Sequence, residues 1–298
     1  MTTTRSRKPH SMSHETTRVV MLGTGTPQPN PERSGPATAI VVDGTPYLID
    51  FGPGVIRRAA AAYQKGIKAF GANGCANIRT AFLTHLHSDH TMGYPDLIFT
   101  PWLMGRTEPL EVYGPKGLKA MTDNIMKAWD IDLGVRTLGA HARRPCKVNA
   151  HEFKPGIVYK DRNITVTAFP VHHGDELDAF GFRFETKDRT IVISGDTSPV
   201  QSLVDHSKGC DVLIHEAYTL ASYAKAPPEW QAFRRSHHTS SAELAAIANK
   251  VKPDLLVLYH PSNAGVGPRV PHSDEVLVEE IQQTYQGKVV AGRDLDVF

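Results

Sequence analysis

The seven residues Thr84-His85-Leu86-His87-Ser88-Asp89-His90 constrain this chain more than any other stretch. They follow the run Thr80-Ala81-Phe82-Leu83, whose apolar and β-branched character predicts a strand, so four donor side chains are delivered into a loop at a strand's carboxyl end. Imidazole and carboxylate are ordinary nitrogen and oxygen donors for zinc, bonding at about 2.0 to 2.2 Å, and two histidines two positions apart at a strand end can face one ion. Asp89 and His90, on the other side of the turn, can face a second. A polar loop carrying histidines by chance is the competing explanation, and four donors packed this closely weigh against it.

Short β-branched runs alternate with helical patterns along the rest of the chain, which predicts an α/β fold. Strands are expected near Arg18–Leu22, Thr38–Val42, Pro46–Asp50, Arg79–Thr84, Ile164–Phe169, Phe180–Glu185, Thr190–Ser194, Val212–His215, Leu255–Tyr259 and Lys288–Ala291. Helices are expected near Val55–Gln64, Pro199–Ser207, Ser240–Val251 and Asp274–Tyr285, with Thr239, Ser240 and Ser241 as candidate caps and Glu243 in the first turn of the third. No Rossmann glycine fingerprint and no repeat divides the chain, so residues 17–298 read as one domain behind a disordered basic tail over residues 1–16. The segment Asp130 to Tyr159 is irregular and reads as a functional edge or lid.

Composition narrows the function classes. With 40% hydrophobic and 21% charged residues the chain is an ordinary globular one, and no apolar run is long enough to span a bilayer. Cys75, Cys146 and Cys210 are odd in number and far apart, which fits a reducing compartment and predicts a cytoplasmic protein. A formal net charge of +2 is too small for a dedicated nucleic-acid binder, and the pairs Arg143-Arg144 and Arg234-Arg235 read as solvated surface.

The pattern His-x-His-x-Asp-His resembles the signature of the metallo-β-lactamase superfamily. The resemblance extends through Leu22-Gly23-Thr24-Gly25-Thr26-Pro27, Leu48-Ile49-Asp50-Phe51-Gly52 and Asp294-Leu295-Asp296-Val297-Phe298, which look like the branch containing ribonuclease Z, arylsulfatases and cyclic-nucleotide phosphodiesterases. It implies a four-layer αββα sandwich and two Zn2+ per chain, with Fe or Mn compatible with the same donors. It also implies the remaining ligands: His173 or His172 in Phe169-Pro170-Val171-His172-His173-Gly174, with the usual spacing favouring His173; Asp196 in Ser194-Gly195-Asp196-Thr197 as the bridge; and His260 after Leu258-Tyr259. His85, His87 and His173 would hold one zinc, and Asp89, His90 and His260 the other.

Two zincs about 3.5 to 4 Å apart can share a hydroxide that is nucleophilic near neutral pH. Asp89, Glu216 and His238 are the catalytic candidates. Ile214-His215-Glu216-Ala217 and Arg235-Ser236-His237-His238-Thr239-Ser240 resemble the family segments in which a glutamate orients a histidine that protonates the leaving group, its charge raising the imidazole's pKa; His238 is preferred to His237. The sequence has one residue more than the ribonuclease Z pattern between that histidine and Ala245-Ala246.

Only 22 residues separate His173 from Asp196, too few for the arm with which ribonuclease Z grips transfer RNA. A small-molecule ester, a phosphodiester or aryl sulfate, is therefore the expected substrate, with no nucleic acid or membrane partner and with the homodimer that the resemblance implies. A lactonase or lactam hydrolase, a transfer-RNA 3′-processing endonuclease, and a redox or non-catalytic metal module are the alternatives; the full set of seven donors argues against the last. Trp102, Trp129, Tyr218, Tyr223 and Trp230 are candidate walls for the substrate.

Overall fold

Several strands of this chain are apolar on both faces, which a single solvated sheet cannot accommodate. The computed structural model describes residues 17–138, 145–262 and 274–298. The tail 1–16 and the pair Arg143-Arg144 lie outside these residues.

One sheet runs β1 (Thr17–Gly23), β2 (Ala37–Val42), β3 (Thr45–Ile49), β4 (Thr80–Phe82), β5 (Leu110–Gly114) and β6 (Val148–Glu152) in sequential order, antiparallel through β3 and parallel from there. The other is ordered from β7 (Gly156–Lys160) through β8 (Thr165–Val171), β9 (Ala179–Glu185), β10 (Thr190–Ile193), β11 (Val212–Ala217) and β12 (Leu255–Pro261) to β13 (Val289–Ala291), antiparallel up to β10 and parallel beyond it.

The two-residue period of a strand sends alternate side chains to opposite faces. In β1, Val19 and Met21 enter the core between the sheets while Val20 and Leu22 face the first helical layer. In β12, Val257 and Tyr259 point between the sheets, and Leu256 and Leu258 face the second helical layer. Phe82 anchors the central core, its ring 5.5 Å from Tyr113, 5.7 Å from Tyr159 and Phe184, and 5.8 Å from Phe182. Against the first sheet lie α1 (Val55–Gln64), α2 (Ser88–Thr91), α3 (Tyr94–Leu103), α4 (Leu118–Ala128) and α5 (Asp130–Thr137). Against the second lie α6 (Gln201–Ser207), α7 (Leu220–Ala224), α8 (Pro228–His237), α9 (Ser241–Val251) and α10 (Asp274–Gln282). Two helical layers enclosing two sheets make the αββα sandwich.

Local signals act as chemistry dictates. Ser240 caps α9 through a capping box with Glu243. The turn between β9 and β10 is closed by Thr186 N donating to Arg189 O at 2.9 Å. The segment Asp130 to Tyr159 is more ordered than its sequence suggests: it holds α5, β6 and β7, and only residues 139–144 lie outside the description. No residue of α5 is buried, and β6 and β7 are neighbouring strands at the outer ends of the two sheets with half-exposed faces, so none carries the apolar contrast that reveals an element in sequence.

Candidate metal centre

Every candidate ligand sits at or just beyond the carboxyl end of a strand. β4 leads into His85 and His87, and α2 then turns the chain so that Asp89 and His90 point back towards the sheets. β8 leads to His173, β10 to Asp196, and β12 carries His260. Glycines permit this turn chemistry where a side chain would collide. A Cβ on Gly52 would lie 2.4 Å from the Asp89 carbonyl oxygen, and Gly195, at φ 62°, swings the backbone into Asp196. Asp50 and His260 adopt φ of 57° and 46° without being glycine, a local strain that the surrounding packing must hold.

The side chains converge in two overlapping sets. His85 Nε2 and His173 Nε2 each lie 3.1 Å from His87 Nδ1. His260 Nε2 lies 3.1 Å from Asp89 Oδ2 and 3.5 Å from Asp196 Oδ2, and His90 Nε2 lies 3.5 Å from Asp196 Oδ1. Donor atoms of His85, His87 and His173, of His85, His90 and Asp196, and of Asp89, His90 and His260 each fall within 4.8 Å of one another. His172 is turned away: its backbone carbonyl accepts from Ser198 N at 2.7 Å, and its side chain belongs to none of these groups.

The outward ring nitrogens fix what the inward ones present. Thr84 Oγ1 donates to the Asp50 carboxylate at 3.0 Å, so at 3.0 Å from His85 Nδ1 it can only accept, which leaves a bare Nε2 facing inward. His173 Nδ1 meets the His237 carbonyl oxygen at 2.7 Å, so that nitrogen carries the hydrogen and its Nε2 is bare too. Two lone pairs thus aim at His87 Nδ1. His90 Nδ1 is engaged by Asp50 Oδ2 at 2.8 Å, while its Nε2 and Asp196 Oδ1 are buried without a hydrogen-bond partner among the described residues. Orphaned buried polar atoms are costly unless something absent from the polypeptide satisfies them. Convergent lone pairs with outer hydrogen bonds on the opposite ring nitrogen are what a metal ion requires, so these residues fit bound metal.

Electrostatics make the same demand. Burial holds His85 well below its ordinary value and lowers His87, and it pushes His173 down to about 4. His90 goes the other way: burial opposes its charge, but Asp196, Asp50 and Asp89 outweigh burial and raise it well above the usual range. His260 is raised, mainly by Asp196, and Asp196 is lowered by His260 and His90 despite burial. Without a cation, the carboxylates draw protons onto His90 and His260 within the cluster.

Beside this cluster stands the Glu216 and His238 pair. His238 Nδ1 lies 3.3 Å from Glu216 Oε1 and 3.2 Å from Ser262 Oγ, and a donor atom of His238 groups with His173 and Asp196. Glu216 is fully buried and accepts from Thr239 N at 3.0 Å and Thr197 N at 3.3 Å. The expected lift of the imidazole by a neighbouring carboxylate does not appear. Burial pushes His238 down to about 4, and burial together with the Asp196 charge pushes Glu216 well up, so burial disfavours the charged form of both. His237 lies outside the pair, stacked on Phe233 at 4.0 Å, with Nε2 3.8 Å from the exposed Glu176.

Of the candidate walls, Trp102 and Tyr218 are core residues at 2% exposure and Trp129 packs on Phe99, away from the cluster. Tyr223 stacks on Tyr218, and Trp230 reaches the site only through Phe233. Arg234 is buried rather than part of a solvated pair. Asp50, Thr84, Ser262 and Phe233 are participants to which sequence reasoning assigned no role. Asp50 and Thr84 left traces, in the strand-end run Leu48-Ile49-Asp50-Phe51-Gly52 and at the head of the histidine motif.

The chain is similar to known proteins over most of its length. The family described as "Beta-lactamase superfamily domain" matches residues 26–261. Ribonuclease Z of Mycobacterium bovis is 31% identical over 282 residues, covering 93% of this chain and 96% of that protein. Ribonuclease Z of Mycobacterium sp. (strain KMS) is 34% identical over 247 residues, covering 81% and 83%. Among solved structures, human tRNase Z, short form, superposes with a TM-score of 0.66 at 25% identity over 94% of this chain and 98% of that one. The metallo-β-lactamase fold protein YhfI from Bacillus subtilis gives 0.68 at 19% identity, covering 95% and 99%. Sequence, fold and donor set therefore agree that the chain belongs to the metallo-β-lactamase superfamily, as one of its metal-dependent hydrolases.

Proposed function

We propose that this chain is a dinuclear zinc phosphodiesterase acting on small diesters. In this reading His85, His87 and His173 hold one ion, Asp89, His90 and His260 the other, and Asp196 lies between them. The observation that carries it is the placement of His238: Nδ1 is committed to Glu216 and Ser262, so Nε2 is the nitrogen offered to a reacting group beside His173 and Asp196.

Bound zinc would supply a nucleophile from water near neutral pH and neutralise charge on the phosphoryl oxygens. The chain's own residues do the rest. A diester anion held at the cluster brings the negative charge that favours a proton on His238 Nε2, and burial then favours its departure. As the bond from phosphorus to the leaving oxygen breaks, that proton passes to the oxygen, while Glu216 and Ser262 keep the ring in line. Asp50 and Thr84 hold His90 and His85 with their bare nitrogens inward.

A phosphodiester is favoured over an aryl sulfate, lactone or lactam because the curated relatives are named as ribonucleases, and RNA is joined by phosphodiesters. A small substrate is favoured by the mouth of the site. The loop after His173 bears exposed Asp175, Glu176 and Asp178, which repel a polyanion, and β9 passes to β10 by a tight turn with nothing inserted. The relatives' name supports one second reading, processing of transfer-RNA 3′ ends.

Bis(p-nitrophenyl) phosphate, p-nitrophenyl sulfate, a simple lactone and a transfer-RNA precursor assayed side by side on the zinc-loaded protein test this reading. Diester hydrolysis with the precursor left intact is expected. Correct 3′ trimming at comparable efficiency would replace the small-molecule reading, and turnover of sulfate or lactone alone would overturn the phosphodiester assignment.

A further inference from the structure

Three aromatic rings stand in file along one face of α8 and end at His238. Trp230 and Phe233 have centroids 5.6 Å apart, Phe233 and His237 are stacked at 4.0 Å and 20°, and Phe233 lies 5.9 Å from the His238 ring. Positions 230, 233 and 237 share a helix face by their spacing. The file is not core packing. The only buried residue of α8 is Arg234, and Phe233 keeps 38% of its surface exposed. Its partner is nevertheless held in place, since His237 Nδ1 lies 2.8 Å from Ser236 Oγ and 3.0 Å from Phe233 O.

Ordered aromatic surface left open at the rim of a catalytic centre offers a face on which a planar ring can stack. We infer that Phe233, stacked on His237, is the specificity platform for a flat aromatic ring carried by the leaving group of the diester. The side of the site is fixed by His238: the oxygen it protonates is the leaving one, so the ring within 6 Å of His238 meets the group attached to that oxygen. An aryl ring and a nucleobase share this chemistry. The inference rests on the diesterase reading and adds to it the class of leaving group.

Three diesters decide it: methyl p-nitrophenyl phosphate, the 2′,3′-cyclic phosphate of adenosine, and the ring-free cyclic phosphate of glycerol. KM and kcat are measured for the zinc-loaded wild type and for Phe233→Leu and Phe233→Tyr. Stacking of one base on an aromatic side chain corresponds to roughly a tenfold change in binding. Phe233→Leu, which keeps the apolar bulk and loses the ring, is therefore expected to raise KM for the ring-bearing diesters about tenfold relative to the glycerol diester, with kcat little changed. Phe233→Tyr restores the ratio. A shift confined to the aryl or to the adenosine arm identifies which ring the platform takes. If the wild type cleaves the diesters and Phe233→Leu leaves all KM ratios where they were, the platform is overturned and the diesterase reading stands. Hydrolysis of none of the three by the wild type overturns both.

Discussion

The Asp50 carboxylate spans the join between two loops: Oδ2 lies 2.8 Å from His90 Nδ1, and Oδ1 accepts from Thr84 N at 2.8 Å. One acid thus sets the orientation of His90 directly and of His85 through the Thr84 hydroxyl. An outer partner of this kind typically governs metal affinity by a factor of about 10 to 100. Asp50→Asn keeps the shape and removes the charge, so zinc affinity should fall within that range while the circular dichroism spectrum is retained. Competition with a chelator of known affinity measures it.

In the proposed centre Asp196 lies between the two ions, its carboxylate oxygens 3.5 Å from His90 Nε2 and His260 Nε2. Asp196→Ala should abolish turnover and lower zinc content from about two ions per chain, the number expected for a two-metal site. Elemental analysis after dialysis reads this out, and full stoichiometry in the variant would remove the bridging role.

His238→Ala should keep both ions, because each set retains its three protein donors. Its effect should depend on the leaving group: a loss of roughly a hundredfold to ten-thousandfold for alkoxide leaving groups, and little for p-nitrophenolate, which needs no proton. A plot of log kcat against leaving-group pKa should steepen in the variant. Parallel plots would mean that His238 transfers no proton.

His215 gives the protein an acid-sensitive element on the opposite face of β11 from Glu216. It is fully buried on the outer face of β11, its Nε2 has no hydrogen-bond partner among the described residues, and burial holds it down to about 4 from its ordinary 6.5. The unfolded chain takes up this proton near pH 6.5 and the folded one only near 4. The stabilising contribution is therefore fully present above about 6.5 and is lost as pH falls towards 4, amounting to roughly 2 kcal/mol between pH 7 and 5. Urea midpoints at those two pH values should separate more for the wild type than for His215→Gln.

The donor cluster was legible in the sequence because four of its members fall within six positions and the others end strongly apolar runs. The sandwich was legible for a related reason: β10 is β-branched throughout, and β2, β11 and β12 are short runs dominated by apolar residues. Helix α3 was not, since Leu97, Ile98, Phe99 and Trp102 are buried around its whole circumference, leaving no periodicity, and Pro101 sits inside it. Asp50 was hidden because a single acid at a strand end is indistinguishable from a turn residue. The burial of Glu216 and His238 was not legible, for a deeper reason. Proximity in a motif suggests an ion pair, whereas depth of burial, which no local pattern encodes, decides whether either member is charged.

Asp89 and His260 are neighbours in the cluster yet stand 171 positions apart in the chain. A polypeptide leaving the ribosome therefore presents His85, His87, Asp89 and His90 long before His173, Asp196 and His260 exist to complete either set. Until β12 docks, the group of Asp89 and His90 lacks His260, and such a half-site, with fewer donors, holds cations weakly. Tight metal capture belongs to the end of folding, and a nascent or cleaved chain that stops short of β12 cannot keep the ions on which hydrolysis depends.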